Sequence, residues 1–386
     1  MISIKVFLQS KKYFASAFLY SCFSLIFSTW VTYIPHIAEK LNIKEGKIGT
    51  AIFFSGLGAF FMIRICKYLV ERVGVGRYTY FALVAYCICF FGIFLAYNFT
   101  SLCIALFIFG MAGSSYGISL NSLTATIEKQ DKVYIMSGSH GFWSLGGMVG
   151  SATGSFIAAA LHSPFIHVFG LIVIILIIQT SLRSQYFSRK AEHVVIEKHE
   201  RPKVKPLLIV AMVGLIVMVS EGALADWSGL YLKKIISLNL KYIGLGYSAF
   251  SLGMVLGRFA GDSLSKRLGS WLLITYASLI GIFGFGMVLI LVPGVSLAGF
   301  FIIGIGFSVI VPEVYRLASN IKGVKTSDGV SFIAATTNIG FLVGPVFLGY
   351  LADFRSLHLS FIVLNIWVSL AFFIAFWKYK QAPKFS

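Results

Sequence analysis

The sequence predicts an all-α integral membrane protein with twelve transmembrane helices in two pseudo-symmetric six-helix halves. Three observations carry that prediction. Ser28-Thr29-Trp30 followed by Leu41-Asn42-Ile43-Lys44 recurs, 197 residues on, as Ala225-Asp226-Trp227 followed by Leu238-Asn239-Leu240-Lys241. The copy continues at a fixed offset of 195, where Ile48-Gly49, Leu57-Gly58, Leu69, Arg72 and Gly74 answer to Ile243-Gly244, Leu252-Gly253, Leu264, Arg267 and Gly269. The chain is 58% hydrophobic and 12% charged, with a mean hydropathy of +0.87, whereas soluble domains carry about a quarter charged residues. Finally, it divides into twelve apolar runs of about 20 residues, the length that crosses a hydrocarbon core of roughly 30 Å. Duplicated halves around a central site are a common construction for secondary transporters.

The first six runs lie near 13–36, 47–68, 78–97, 101–126, 138–161 and 165–185. Lipid-exposed spans must be helical, because every backbone group needs an internal partner. The first run is long and lacks a small-residue cleavage pattern, so it is expected to remain as a span. Helix 4 contains Gly113-Ser114-Ser115-Tyr116-Gly117, and helix 5 the ladder Gly146-x-x-x-Gly150-x-x-x-Gly154. The five cysteines, Cys22, Cys66, Cys87, Cys89 and Cys103, fall inside these spans without metal or redox spacing, as small hydrophobes do.

A basic polar segment over 186–206 separates the halves, which gives domains at 1–185 and 207–386 joined by a cytoplasmic linker. Its His193 and His199 lie among Glu and Lys and read as solvated loop, not as metal ligands. The second six runs lie near 207–231, 242–264, 271–292, 296–319, 329–352 and 358–377. In helix 11, Gly340-x-x-x-Gly344-Pro345-x-x-x-Gly349 mirrors the helix 5 ladder, and such ladders let helices approach closely.

Orientation follows from the basic residues. Only Lys40, Lys44, Lys47, Lys233, Lys234, Lys241 and Arg355 of the 32 fall outside when the N-terminus is placed inside, leaving 25 on the cytoplasmic side. Both termini are therefore expected in the cytoplasm of a bacterial cell, with the chain in its inner membrane. Membrane lipid accounts for the net charge of +18 without a nucleic-acid partner.

Gly257-Arg258-Phe259-Ala260-Gly261-Asp262 with Lys266-Arg267-Leu268-Gly269, and Glu71-Arg72-Val73-Gly74 with Arg77, resemble the helix 2–3 signature of the major facilitator superfamily. The first copy has Lys67 where that signature has its leading glycine. The run Glu221 to Leu232, followed by Gly244-Leu245-Gly246-Tyr247, resembles a bacterial branch related to the fucose permeases. The resemblance implies the major facilitator fold, alternating access, and gating charges at Glu71, Arg72, Asp262 and Arg267 that pair across a cytoplasmic gate. It further implies that helices 1, 4, 7 and 10 line a cavity. Two departures bear on coupling and direction. Helices 1 and 4 lack the acid that sugar–proton symporters carry there, and helix 5 lacks the Gly-Pro pair of drug–proton antiporters.

Charges inside a bilayer are expensive and therefore functional candidates. Glu221, near the middle of helix 7, and Asp226, one and a half turns outward, are the candidates for proton coupling, because an apolar site favours the neutral form of a carboxyl. A structural role at a helix contact is the alternative for both. Glu313 and Arg316 are three apart on helix 10 and share a face, either as a pair that solute or proton competes for or as a permanent one. Arg64 and Arg258 read as snorkelling residues. Trp30, Tyr33, Asn121, His140, Trp143, Trp227 and Asn338 complete the substrate-binding candidates with Glu313 and Arg316. For the aromatics, packing or interfacial anchoring is the competing reading.

An intramembrane enzyme is the rival class. Gly113-x-Ser115-x-Gly117 matches a nucleophile elbow only in letters, since that motif needs a strand–turn–helix, and neither a phosphate loop nor a His-Glu-x-x-His helix occurs. A channel would need a continuous polar pore. The sequence thus points to a non-enzymatic, monomeric secondary transporter with no cofactor and no metal. It would import a small polar organic solute, a sugar first among candidates, with protons, and proton-driven export of organic compounds is the alternative.

Overall fold

The computed structural model describes residues 7, 10–133, 135–161, 163–190, 205–321, 324 and 326–381. Most of the linker expected over 186–206, with His193 and His199, lies outside the described residues, as do the side chains of Arg64 and Asp262. Twelve long helices follow one another, and no strand occurs among the described residues. They are α1 (Lys11–Leu41), α2 (Glu45–Val73), α3 (Val75–Phe94), α4 (Phe99–Asp131), α5 (Met136–Leu161) and α6 (Pro164–Leu182), then α7 (Leu208–Lys234), α8 (Leu245–Leu268), α9 (Ser270–Leu289), α10 (Pro293–Ser319), α11 (Thr326–Phe354) and α12 (Leu357–Gln381). Eleven described stretches are long and apolar enough to cross a membrane, and α8 completes the twelve.

Helix ends obey local chemistry. The duplicated Gly74 and Gly269 close α2 and α8 with φ of 91° and 74°, a left-handed region that costs glycine little. Asn42 closes α1 at φ 50°. Asn98 and Ser101 form a capping box at the start of α4, satisfying two otherwise orphaned amides. Glu128, at the other end of α4, accepts from the Ile135 and Met136 amides at 2.6 and 2.7 Å. That places a carboxylate on the positive N-terminus of α5.

The chain forms two compact units, 1–195 with 240–244, and 196–239 with 245–386. In the first, α1 packs on α5, α2 on α4, α3 on α4, and α6 on α3. In the second, α7 packs on α11, α8 on α10, α9 on α10, and α12 on α9, which is the same scheme. Backbone-to-backbone crossings recur at the duplicated glycines. Gly58 on α2 lies against Phe107 and Gly110 on α4 against Ser55, while Gly253 on α8 lies against Phe301 and Gly304 on α10 against Phe250. The helix 5 ladder meets α1 at Ser21, Leu25, Ser28 and Thr32, and Gly340 and Gly344 meet α7 at Leu215 and Val219.

Each unit has its own aromatic core, Tyr86, Phe90, Phe94 and Tyr116 in one and Phe285, Phe300, Phe307 and Phe361 in the other. The outward faces are apolar as well. Phe60, Ile88, Phe283 and Phe373 are all more than 60% exposed, the inside-out pattern that suits contact with lipid and not with water.

Candidate functional site

In the second unit, α7 places Glu221 and Asp226 five residues apart, separated by about 7.5 Å of helix rise. Asp226 is 5% exposed, and no hydrogen-bond or ion-pair partner for it occurs among the described residues. Glu221 keeps partial exposure. α8 supplies their neighbours. Arg258 lies near enough to act electrostatically on Glu221, and Tyr247, itself buried, feels Glu221, Asp226 and Arg258 together. The site therefore holds two carboxyls, one guanidinium and one phenol within an apolar helix pair. Charge there is costly unless balanced. Arg258, which the sequence reads as snorkelling, stands beside Glu221 here, and Tyr247, which the sequence offers only within the Gly244–Tyr247 run, joins them.

Trp227, one residue beyond Asp226, is 1% exposed, and its Nε1 has no hydrogen-bond partner among the described residues. Burying an indole N–H without a partner costs free energy, so this position is either strained or waiting for an acceptor. On α10, Arg316 donates to Glu313 at 2.6 Å and also to Ser265 on α8. Glu313 is only 2% exposed, and its second oxygen has no partner. Pro312 inside the helix removes one backbone donor just before this pair.

The first unit gathers a different set. Tyr20 on α1 donates to Asn121 Oδ1 on α4 at 2.5 Å, and its ring lies 4.9 Å from the His140 ring on α5. Trp143, one turn along α5, meets Phe23 edge-on at 4.6 Å and stacks with Phe27 at 6.2 Å. Asn121 and His140 are exposed and Trp143 is half-buried, so amide, imidazole and indole face accessible space, with the buried Tyr20 phenol holding the amide from behind. Such a set binds hydroxylated rings through hydrogen bonds and flat apolar faces. Trp30 is buried at 4%, some 15 Å along α1 from Tyr20 at 1.5 Å per residue. Tyr33 lies farther still and bonds instead to His167 Nδ1 on α6 at 3.0 Å.

That last bond has a counterpart. Tyr231 on α7 meets His358 Nδ1 on α12 at 2.9 Å, so in each unit a tyrosine of the first helix is tied to a histidine at the start of the last. The pairs are 198 and 191 residues apart, off the 195 register, which is why a fixed-offset comparison does not reveal them. Asn338 is exposed on α11. Of the gating candidates, Glu71, Arg72 and Arg267 are exposed, and Arg72 donates to Tyr68 at 3.3 Å on its own helix. Ser115 of the Gly-x-Ser-x-Gly match lies within α4 and shares a 2.7 Å hydrogen bond with Tyr78, with no strand-to-helix elbow around it. Among the described residues no group of three or more His, Cys, Asp or Glu gathers that would hold a metal.

Comparison with known proteins is consistent across sequence and structure. Residues 16–327 match the profile of the Major Facilitator Superfamily. An uncharacterised transporter of Sinorhizobium fredii is 26% identical over 363 residues, which cover 91% of this chain and 94% of the relative. The membrane protein MosC of Rhizobium meliloti is 27% identical over 350 residues, covering 88% and 83%. A variant of the nucleoside transporter NupG superposes with a TM-score of 0.75 at 11% identity, over 95% of this chain and 99% of that one. A bacterial homolog of the human lysosomal transporter Spinster, in an inward-facing and occupied conformation, gives 0.71 at 11% identity over 96% of each chain.

Proposed function

The chain belongs to the Major Facilitator Superfamily, and from that premise we propose that it imports a small polar organic solute with protons, using Glu221 and Asp226 as proton carriers. The observation that carries the proposal is the α7–α8 cluster, in which Arg258 acts on Glu221 and the Tyr247 phenol feels both carboxyls. Carboxyls held in an apolar helix pair beside a cation and a phenol are the groups a coupling site uses. Asp226, the more buried and the nearer to the outer end of α7, takes the proton first; Glu221, which keeps partial exposure, passes it inward. Arg258 is the counter-charge beside Glu221.

The solute is held by Tyr20, Asn121, His140 and Trp143 in the first half, and by Trp227 with the Glu313–Arg316 pair in the second. Sugars are the first class to test, and nucleosides, whose transporter shares the fold, are the second because they carry a sugar and a flat base. Arg316 is engaged by Glu313, which favours a neutral solute over an anion. The halves 1–185 and 207–386 move about the linker 186–206 in alternating access, in the inner membrane, as a monomer. Glu71, Arg72, Asp262 and Arg267 form the inner gate.

The test is proton movement into vesicles of known orientation containing the purified protein, on addition of sugars, nucleosides, organic acids or amphiphilic drugs. A solute-dependent proton flux that enters with the solute and is lost in Glu221→Gln is the expected result. Flux that survives the substitution assigns Glu221 a structural role, and flux of opposite sign makes the protein an exporter.

A further inference from the structure

We propose that the first unit holds a second solute subsite, a vestibule that takes a small neutral molecule rich in hydrogen-bond donors, of the polyol class. It lies apart from the Tyr20–Asn121 set. A cavity of about 160 Å³ opens among Thr32, Tyr33, His36, Ser155, Leu240 and Ile243. One water needs ~10–15 Å³ of such space, so the cavity has room for a molecule of several heavy atoms. Tyr33 is thirteen residues beyond Tyr20, about 20 Å along α1 at 1.5 Å per residue, which puts the two sites out of reach of one small solute.

The cavity wall is built. Residues 240–244 follow α7 in the chain but pack with the first unit. Ser155 on α5 donates to the Lys241 carbonyl at 2.9 Å, and Gly244 presses so closely on the Ser151 carbonyl that a Cβ there would overlap it. Phe156 meets Tyr242 edge-on at 5.8 Å. Leu240 and Ile243 are thereby presented to the cavity from a segment held at three points.

The lining chemistry selects the ligand. Thr32 Oγ1 gives its proton to Ser28 O at 3.0 Å, and Ser155 Oγ gives its own to Lys241 O. Thr32 therefore offers the cavity lone pairs and not a proton, while the fully buried Ser155 only fixes the wall. Tyr33 Oη, with one bond to His167, has capacity for another. Among the described residues no Asp, Glu, Lys or Arg lines the space, and His36 is its titratable imidazole, so a strongly charged ligand has no fixed counter-ion there. A neutral donor-rich molecule satisfies the Thr32 and Tyr33 oxygens, and the Tyr33 ring and Leu240 cover its apolar faces. The distribution of basic residues puts this end of the unit outside, where an incoming solute arrives first. The Glu221–Asp226 cluster plays no part in the subsite.

The experiment uses the full-length protein in vesicles with Ala158, which also lines the cavity, replaced as Ala158→Cys and labelled by a membrane-impermeant methanethiosulfonate. The probe is myo-inositol, and trimethylamine N-oxide, an acceptor without donors, is the osmotic control. Labelling slowed about threefold by about 10 mM myo-inositol, the protection expected for a Kd of about 5 mM, and unchanged by the control is the expected result. The slowing should persist in Glu221→Gln and fall in Thr32→Val. Leu240→Cys gives a second reporter of the same protection should the first variant not fold. Absence of slowing at both positions, equal slowing by the control, or full protection in Thr32→Val overturns the proposal. Protection lost in Glu221→Gln assigns the effect to the central site and overturns a separate subsite. Proton flux is not read in this assay, so failure of the coupling proposal leaves these outcomes intact.

Discussion

Arg316 and Glu313 share one 2.6 Å hydrogen bond but have unequal stakes in it. The carboxylate is 2% exposed, whereas the guanidinium side chain is 41% exposed. Removing the arginine strands a buried acid; removing the acid leaves a cation that water can still reach. Arg316→Ala is therefore expected to lower stability by about 1–3 kcal/mol, and the double change Arg316→Met with Glu313→Gln to recover much of it, read as melting in detergent. Equal losses in both variants would show that the pair matters through Ser265 and not through charge. The tyrosine–histidine ties allow a smaller expectation. Tyr231→Phe forfeits one hydrogen bond to His358 and should cost about 1 kcal/mol, again by melting. At this scale the sequence showed which groups are expensive, since Glu221, Asp226, Glu313 and Arg316 are charges in apolar runs. It could not show what surrounds them. Tyr247 and Arg258 lie 26 and 37 positions from Glu221, and only the packing of α8 on α7 brings them to it. Tyr20, which organises Asn121 and His140, looked like any other aromatic of a span.

Helices were legible because a bilayer admits little else: runs of about 20 apolar residues became α1 to α12 nearly in place. Their ends were not, because hydropathy stops at the lipid boundary while hydrogen bonding does not. α4 runs 33 residues to Asp131, some 50 Å, and its polar last turn earns its keep through Glu128, which caps α5. The duplicated Leu-Gly pairs were visible as letters, but their purpose required the partners. Gly58 and Gly253 each press on a carbonyl of the helix two places later, so a methyl group at either position must push two backbones apart. Gly58→Ala and Gly253→Ala should each destabilise by about 1–3 kcal/mol. Gly92 and Gly286 also lie within helices, yet a Cβ at either meets nothing within 4 Å. Gly92→Ala and Gly286→Ala should therefore be neutral or stabilise by up to about 1 kcal/mol through helix propensity. Melting of the four variants separates close packing from glycine content, and equal effects at all four would remove the crossing argument.

At the scale of the whole molecule, the uneven placement of charge should decide how the chain sits in the membrane. Placing 7 of the 32 basic residues outside and 25 inside follows the bias that holds Lys and Arg near span ends on the cytoplasmic side. Lys129 at the end of α4 and Lys241 before α8 are both exposed and fall on opposite sides in this reading. The native thiols give little background, because Cys22, Cys66, Cys87 and Cys103 are buried and only Cys89 has partial exposure. In intact cells a membrane-impermeant maleimide should therefore label Lys241→Cys and leave Lys129→Cys unlabelled, and permeabilised cells should show both. The same orientation gives the proton-coupling proposal its sign, since Asp226 lies toward the Lys233–Lys234 end of α7 and a proton entering from outside would meet it before Glu221. Labelling of Lys129→Cys in intact cells would invert the bundle and turn the proposed uptake into export without altering the cluster itself.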